Sequence, residues 1–312
     1  MSTGLVRTVL GDVPAEELGA VDSHDHLFLR SAALPGQELD DARAAEVDLR
    51  AFRAAGGGTV VQWTPYGLGR RAEHLAALSR TTGVHVLAAT GLHQALHYPP
   101  GVVRAVLRNA ARLFIDELTV GLHDDDGSPL PARAALVKVA GGFHGLDEHA
   151  RTVLAAAAEA HHATGAPIGA HLEQGTAAAD VLALLCDDLS VPPQRVILGH
   201  LNRFPDLRLH REAAERGAYL AFDGPTRAHH ATDWRLLDAL STLVEAGHGR
   251  QLLLGGDTTT ARARSLAAGG EGPGMPHLLD GLRPRIAREL GTDAAELLLV
   301  HNPARAFTMA AG

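Results

Sequence analysis

A chain of 312 residues with 46% hydrophobic content is long enough to bury one large core, within the usual size of a single α/β barrel. A net charge of −8 without a long basic run argues against a nucleic-acid partner, and no apolar stretch is long enough to span a bilayer. The lone cysteine, Cys186, lies among Leu182, Leu184 and Leu185; it rules out an intrachain disulfide and reads as a small buried hydrophobe. With no basic-then-apolar leader at the start, the expectation is a cytoplasmic protein.

Short apolar runs rich in β-branched residues predict eight strands, at 18–24, 59–64, 84–90, 135–140, 167–171, 195–200, 218–223 and 251–257. Helical patterns lie between them at 42–55, 71–81, 101–118, 146–164, 176–189, 208–216 and 234–246, with a last one near 276–290. Gly56, Gly83, Gly165, Gly217 and Gly247 follow five of the helices, where glycine takes the left-handed backbone that ends a helix. Eight strand–helix units imply parallel pairing with right-handed crossovers and predict a (β/α)₈ TIM barrel, with an open doubly wound sheet as the structural alternative, read as a single domain over residues 1–312. No Gly-x-Gly-x-x-Gly follows the first strand, which argues against a dinucleotide fold. The longest irregular stretches, 29–41 and 261–275, both follow strands on the side where barrel enzymes place their functional loops.

The polar residues on these strands carry the chemistry. The first strand ends His24-Asp25-His26, and alternate strand residues face the same side, so both imidazoles point inward. The fourth holds Lys138 within Leu136-Val137-Lys138-Val139, an expensive place for a charge. The fifth and sixth end in His171 and His200, and the eighth ends Gly255-Gly256-Asp257. Each alone has a bland explanation as a capping or supporting group. Together they form six candidate ligands, His24, His26, Lys138, His171, His200 and Asp257, at the carboxyl ends of five strands.

Imidazole and carboxylate donors suit zinc, manganese, cobalt or iron, and the absence of thiolates argues against a structural zinc site. Two cations close together need a bridging anion. A neutral lysine that adds carbon dioxide becomes a carbamate with two oxygens, which would explain the buried Lys138. A hydroxide between two such ions is a nucleophile at neutral pH. Asp257 is then both a ligand and the acceptor of its proton.

These residues resemble the phosphotriesterase family of the amidohydrolase superfamily. The likeness extends to Gly67-Leu68-Gly69-Arg70, Ala88-Ala89-Thr90-Gly91, Gly199-His200-Leu201-Asn202 and Asn302-Pro303-Ala304-Arg305, and runs from the first strand to the C-terminus. The resemblance implies that His24, His26 and Asp257 hold the more buried metal and His171 and His200 the more exposed one, with a carboxylated Lys138 bridging them. It also points to a homodimer acting on a small-molecule substrate. Asn302-Pro303-Ala304-Arg305 reads as a structural element that docks the C-terminus.

The family includes lactonases, esterases, amide hydrolases and phosphotriesterases. Gly199-His200-Leu201-Asn202-Arg203 and Phe222-Asp223-Gly224 look closer to the lactonase-like and phosphotriesterase-homology branches. Asp223 is followed by Gly224-Pro225-Thr226-Arg227, unlike the Asp-Arg of acyl-homoserine lactonase-like members. The reading is a metal-dependent hydrolase of a lactone or carboxylic ester, with amide hydrolysis of an N-acylated small molecule or phosphotriester hydrolysis as alternatives. His93, Arg203, Arg227 and Arg262 are candidate substrate contacts, and Arg264 is a weaker anion-binding candidate. His229 and His230 are further candidates for the pocket wall, whereas His161 and His162 are expected to face solvent.

Overall fold

The computed structural model describes residues 4–99, 101–223 and 232–309. The chain opens with an antiparallel hairpin of β1 (Leu5–Thr8) and β2 (Gly11–Pro14) that the sequence reading did not foresee. Four residues per strand are too few for an alternating pattern to stand out. Eight parallel strands follow: β3 (Ala20–Asp25), β4 (Gly57–Gln62), β5 (His85–Gly91), β6 (Leu136–Ala140), β7 (Ile168–His171), β8 (Val196–Leu198), β9 (Tyr219–Asp223) and β10 (Leu252–Gly255). They pair in sequence order. Just past the end of β10, the Asp257 N–H donates to the carbonyl oxygen of His24 at 2.8 Å, bringing the first and last strands together. The expected (β/α)₈ barrel is the observed fold.

Each strand is followed by helix on the outer face: α1 (Ala42–Ala54), α2 (Ala72–Thr82), α3 (Val102–Leu107), α4 (Ala110–Thr119), α5 (Glu148–Thr164), α6 (Ala178–Leu182), α7 (Leu207–Glu215), α8 (Leu236–Glu245) and α9 (Arg283–Leu290). Asp41, Asp147 and Asp206 cap α1, α5 and α7 by accepting backbone N–H groups of the first turn. The five helix-ending glycines all take positive φ, from 69° at Gly83 to 96° at Gly56 and Gly217. The helix expected at 101–118 is two helices, because Asn109 leaves helical geometry at φ −128°. Asparagine's side chain competes for backbone groups and favours helix ends. The helix expected at 176–189 passes from α6 into a wider π turn at Ala183–Asp188.

Two apolar masses hold the barrel. One lies between strands and helices. The other fills the barrel with Val21, Val61, Trp63, Leu87, Leu136, Ile197 and Leu253, and is closed below by Val6, Leu18 and Phe307. Each large side chain so buried contributes about 1.5–3 kcal/mol. The hairpin belongs to this lower plug: Met309 N–H donates to Leu5 O at 3.0 Å. Asn302 fastens the same end, its Nδ2 donating to the carbonyls of Gly249 (2.8 Å) and Leu252 (2.7 Å). No described helix is long and apolar enough to cross a membrane.

His26 lies just past β3, and β8 and β10 end earlier than expected, leaving His200 and Asp257 just past the ladder as well. The cause at the last two is backbone conformation, with φ of 63° at His200 and 50° at Asp257. Non-glycine residues rarely adopt that region, and it breaks strand pairing while turning the side chain over the barrel mouth.

Candidate active site

The site is built on small residues that let strands and rings come close. His24, in β3, stacks on the Trp63 indole with centroids 3.9 Å apart. Trp63 is itself fixed by Nε1 donating to Ser23 O at 2.8 Å. Gly169 and Gly199 leave it room, since a Cβ at either would lie 3.0 or 3.3 Å from the ring. Pairing across the sheet sets Lys138 between Gly91 and Gly169. A Cβ at Gly91 would fall 1.9 Å from the Lys138 carbonyl oxygen. At β10, a Cβ on Gly255 would lie 2.6 Å from the His24 Cβ, and one on Gly256 2.2 Å from Asp25 Oδ2. The paired glycines before Asp257 are therefore what allow β10 to reach β3.

Above these strands the side chains converge. His24 Nε2 and His26 Nε2 lie 3.6 and 3.5 Å from Asp257 Oδ1. His200 Nε2 lies 2.8 Å from His171 Nδ1. The opposite nitrogens meet protein oxygens: His24 Nδ1 lies 3.1 Å from Asp223 Oδ1, and His26 Nδ1 lies 2.7 Å from Thr64 Oγ1. His171 Nε2 lies 3.2 Å from Glu173 Oε2, and His200 Nδ1 contacts Asp223 Oδ2. Arg203 contacts Asp257 Oδ2 and lies 3.5 Å from Asp223 Oδ2, while its buried Nε has no hydrogen-bond partner among the described residues.

Lys138 is 2% exposed and has neither a hydrogen bond nor an ion pair among the described residues. Burial pushes its ammonium down to about 7, against the pull of Asp257 and Glu173. Burial likewise pushes His26 and His171 down to about 4 and holds His200 well below the usual imidazole value. These imidazoles are neutral at neutral pH, with a lone pair free for a cation. Burial raises the Asp257 carboxyl, but the Arg203 guanidinium beside it outweighs that and leaves it well below the usual range. The hydrogen bond from His171 pulls Glu173 down to about 2. Donor atoms of His24, His200 and Asp257 all lie within 4.8 Å of one another, a His/Asp cluster compatible with a metal ion.

A cavity of about 380 Å³ brings together all six candidate ligands with His93 and Arg203. Other expectations fall elsewhere. Arg262 is 80% exposed and pairs with Glu271 at 2.6 Å, on the surface and away from the cavity. Arg264 is no anion site either: it is buried, donating to Leu27 O at 2.5 Å and lying 3.8 Å from Asp48. The turn at Ala261–Ala263 throws one arginine outward and the next inward. His161 is buried, with Nδ1 2.7 Å from Ala166 O, because it shares the inward face of α5 with Leu154, Ala157 and Ala158. His162 is exposed as expected. Arg227, His229 and His230 lie outside the described residues.

The sequence reading missed the residues behind the ligands. Asp223 ends β9 and Glu173 lies in the turn just after β7, and placement at or just past a strand end was the available signal for both. Buried Asp22 and Asp25 were also missed; Asp22 Oδ1 accepts from Gly256 N–H at 3.0 Å and Asp25 Oδ1 from Thr258 N–H at 2.8 Å. They bind the β10 end to β3.

A parallel barrel with a metal-compatible polar cluster of this kind at its carboxyl mouth defines the class of the molecule, a barrel enzyme. The chain belongs to the phosphotriesterase family, whose model matches residues 4–307. It is 28% identical to a phospho-furanose lactonase of Mycoplasmopsis synoviae, over 98% of this chain and 92% of that protein. It is 26% identical to an N-acetyltaurine hydrolase of Tetraodon nigroviridis, over 96% and 97%. Among solved structures, a lactonase from Listeria monocytogenes superposes with a TM-score of 0.88 at 28% identity, covering 98% of this chain and all of the other.

Proposed function

We propose that the chain hydrolyses a lactone or carboxylic ester at this cluster, loaded with two divalent metal ions, zinc first among manganese, cobalt and iron. The observation that carries this reading is the orientation of four imidazoles. Those of His24, His26, His171 and His200 each turn one nitrogen into the cluster and hold the other against a protein oxygen. Ligand histidines are oriented in this way by partners on the far nitrogen. His24, His26 and Asp257 would hold one ion, and His171 and His200 the other. Lys138 would bridge them as a carbamate: its neutral amine adds to carbon dioxide, forms an N–C bond and releases a proton. The burial of Lys138, with no partner among the described residues, supports this step. When bound, the metals polarise the substrate carbonyl and lower the pKa of water.

The chain's own groups do the rest. Asp257 accepts the proton of the attacking water and passes it to the leaving oxygen, with Arg203 holding its Oδ2. His93 and Arg203 border the space left for substrate. The lactonase relatives favour a lactone, and the N-acetyltaurine hydrolase favours an N-acylated amine as the second reading. The test is a panel of furanose lactones, aryl esters, N-acyl amino compounds and phosphotriesters, assayed with metal-replete protein. The lactones should show the highest kcat/KM. A higher value on an N-acyl compound moves the assignment to amide hydrolysis.

A further inference from the structure

We infer that Asp223 is a positioning residue that links the two halves of the metal cluster by holding one ligand of each. The inference rests on the two-ion reading above. Asp223 ends β9, between β8 and β10 in the sheet, and is 2% exposed. Its Oδ1 lies 3.1 Å from His24 Nδ1, and its Oδ2 contacts His200 Nδ1. Those rings come from β3 and from the end of β8, with centroids 4.7 Å apart. In the proposed assignment His24 serves one ion and His200 the other. The other two histidines have partners of their own, Thr64 for His26 and Glu173 for His171.

The carboxylate is held in place for this task. The Asp223 N–H donates to Asn202 Oδ1 at 3.1 Å, and Asn202 Nδ2 donates to Asp233 Oδ1 at 3.1 Å. Arg203, 3.5 Å from Oδ2, offsets the buried charge. An ionised carboxylate only accepts, so its hydrogen bond with His200 requires the proton on that ring's Nδ1. The His24 Nδ1, 3.1 Å from Oδ1 but off hydrogen-bond alignment, is placed where the same negative charge favours a proton on it. In that tautomer Nε2 of each ring is left free for a cation, and the carboxylate makes each a stronger donor to it. One side chain thus acts on the tautomer of a ligand in each half.

The experiment is stepwise zinc binding by calorimetry on chelator-treated, folded protein. Wild type is compared with Asp223→Ala and with Glu173→Gln, whose side chain meets His171 alone among the candidate ligands. Loss of an outer partner typically weakens a metal site about 10–100-fold. Asp223→Ala should weaken both binding steps by about that factor, and Glu173→Gln only one. If Asp223→Ala weakens one step or neither while wild type takes two ions, the linking role is wrong and the two-ion reading stands. If wild type takes only one ion, the two-ion reading fails and the link with it. Should the alanine variant not fold, Asp223→Asn, close to isosteric, supplies a second measurement. Imidazole nitrogen spectra of metal-free wild type should show His24 and His200 both protonated on Nδ1. The asparagine, with one acceptor oxygen, should move at least one of them to Nε2, and two unchanged tautomers would overturn the inference.

Discussion

The backbone N–H of Asp257 donates to the carbonyl oxygen of His24 at 2.8 Å, so the last candidate ligand in the chain is fastened to the first. Barrel closure and site assembly are therefore one event. The space for it comes from Gly255, where a Cβ would stand 2.6 Å from the His24 Cβ and 2.7 Å from its backbone nitrogen and oxygen. Backbone has to move to admit a methyl group there. Gly255→Ala should destabilise the fold by about 1–3 kcal/mol, the usual effect of overpacking, and lower metal retention with it. Urea unfolding and elemental analysis read the two effects; no change in either would show that the close approach is not needed.

Lys138 gives a pH dependence with a defined sign. Its folded value of about 7 lies below the ordinary lysine value of 10.5, so the unfolded chain binds the extra proton between those pH values. The cost of burying this lysine is therefore fully present below about pH 7 and fades as pH rises toward 10.5. In metal-free protein, Lys138→Met should be more stable than wild type at pH 6, by a margin that shrinks by pH 9. A margin unchanged with pH would mean that the amine is not buried in this way. In metal-loaded protein, Lys138→Ala should lose activity, and a short carboxylic acid should restore part of it by standing in for the bridge.

Two arginines separate site from surface. Arg203 lies within the cavity against Asp257, whereas Arg262 is paired with Glu271 in solvent. Hydrogen bonds to charged groups are worth about 1.5–3 kcal/mol, roughly one to two decades in rate. Arg203→Met should reduce kcat/KM by that much, while Arg262→Ala should leave it within about twofold. Equal effects of the two substitutions would remove Arg203 from the mechanism.

The barrel and its cluster were legible because each rests on local pattern: apolar runs give strands, and polar groups at their carboxyl ends share one mouth. His24, Lys138, His171 and Asp257 needed no knowledge of which strand lies beside which. The outer partners did need it. Asp223 reaches His24 only because β10 brings the β9 end back to β3, and Glu173 meets His171 by the turn after β7. His161 was misread although the 3.6-residue period was available, since it follows Leu154, Ala157 and Ala158 on one face of α5. Arg262 and Arg264 follow no strand or helix period, and the 3₁₀ turn before Arg264 decides which is buried.

Asp257 carries the proposed proton transfer. Asp257→Asn keeps an oxygen for the cluster but no longer accepts a proton. Loss of a positioned acid–base group lowers rates by about a hundredfold to ten-thousandfold. Turnover on the preferred lactone or ester should fall at least to the lower end of that range, with metal content changing less. Near-normal turnover would leave Asp257 as a ligand only.

The central claim, a hydrolase working through two ions held by the six residues at the barrel mouth, is tested most directly by one titration. Chelator-treated protein is given increasing zinc in the presence of bicarbonate while hydrolysis of the preferred lactone is followed by acid release. The account predicts negligible hydrolysis at the start and a rise to a plateau at two equivalents per chain. Full activity without metal, or a plateau at one equivalent, would contradict it.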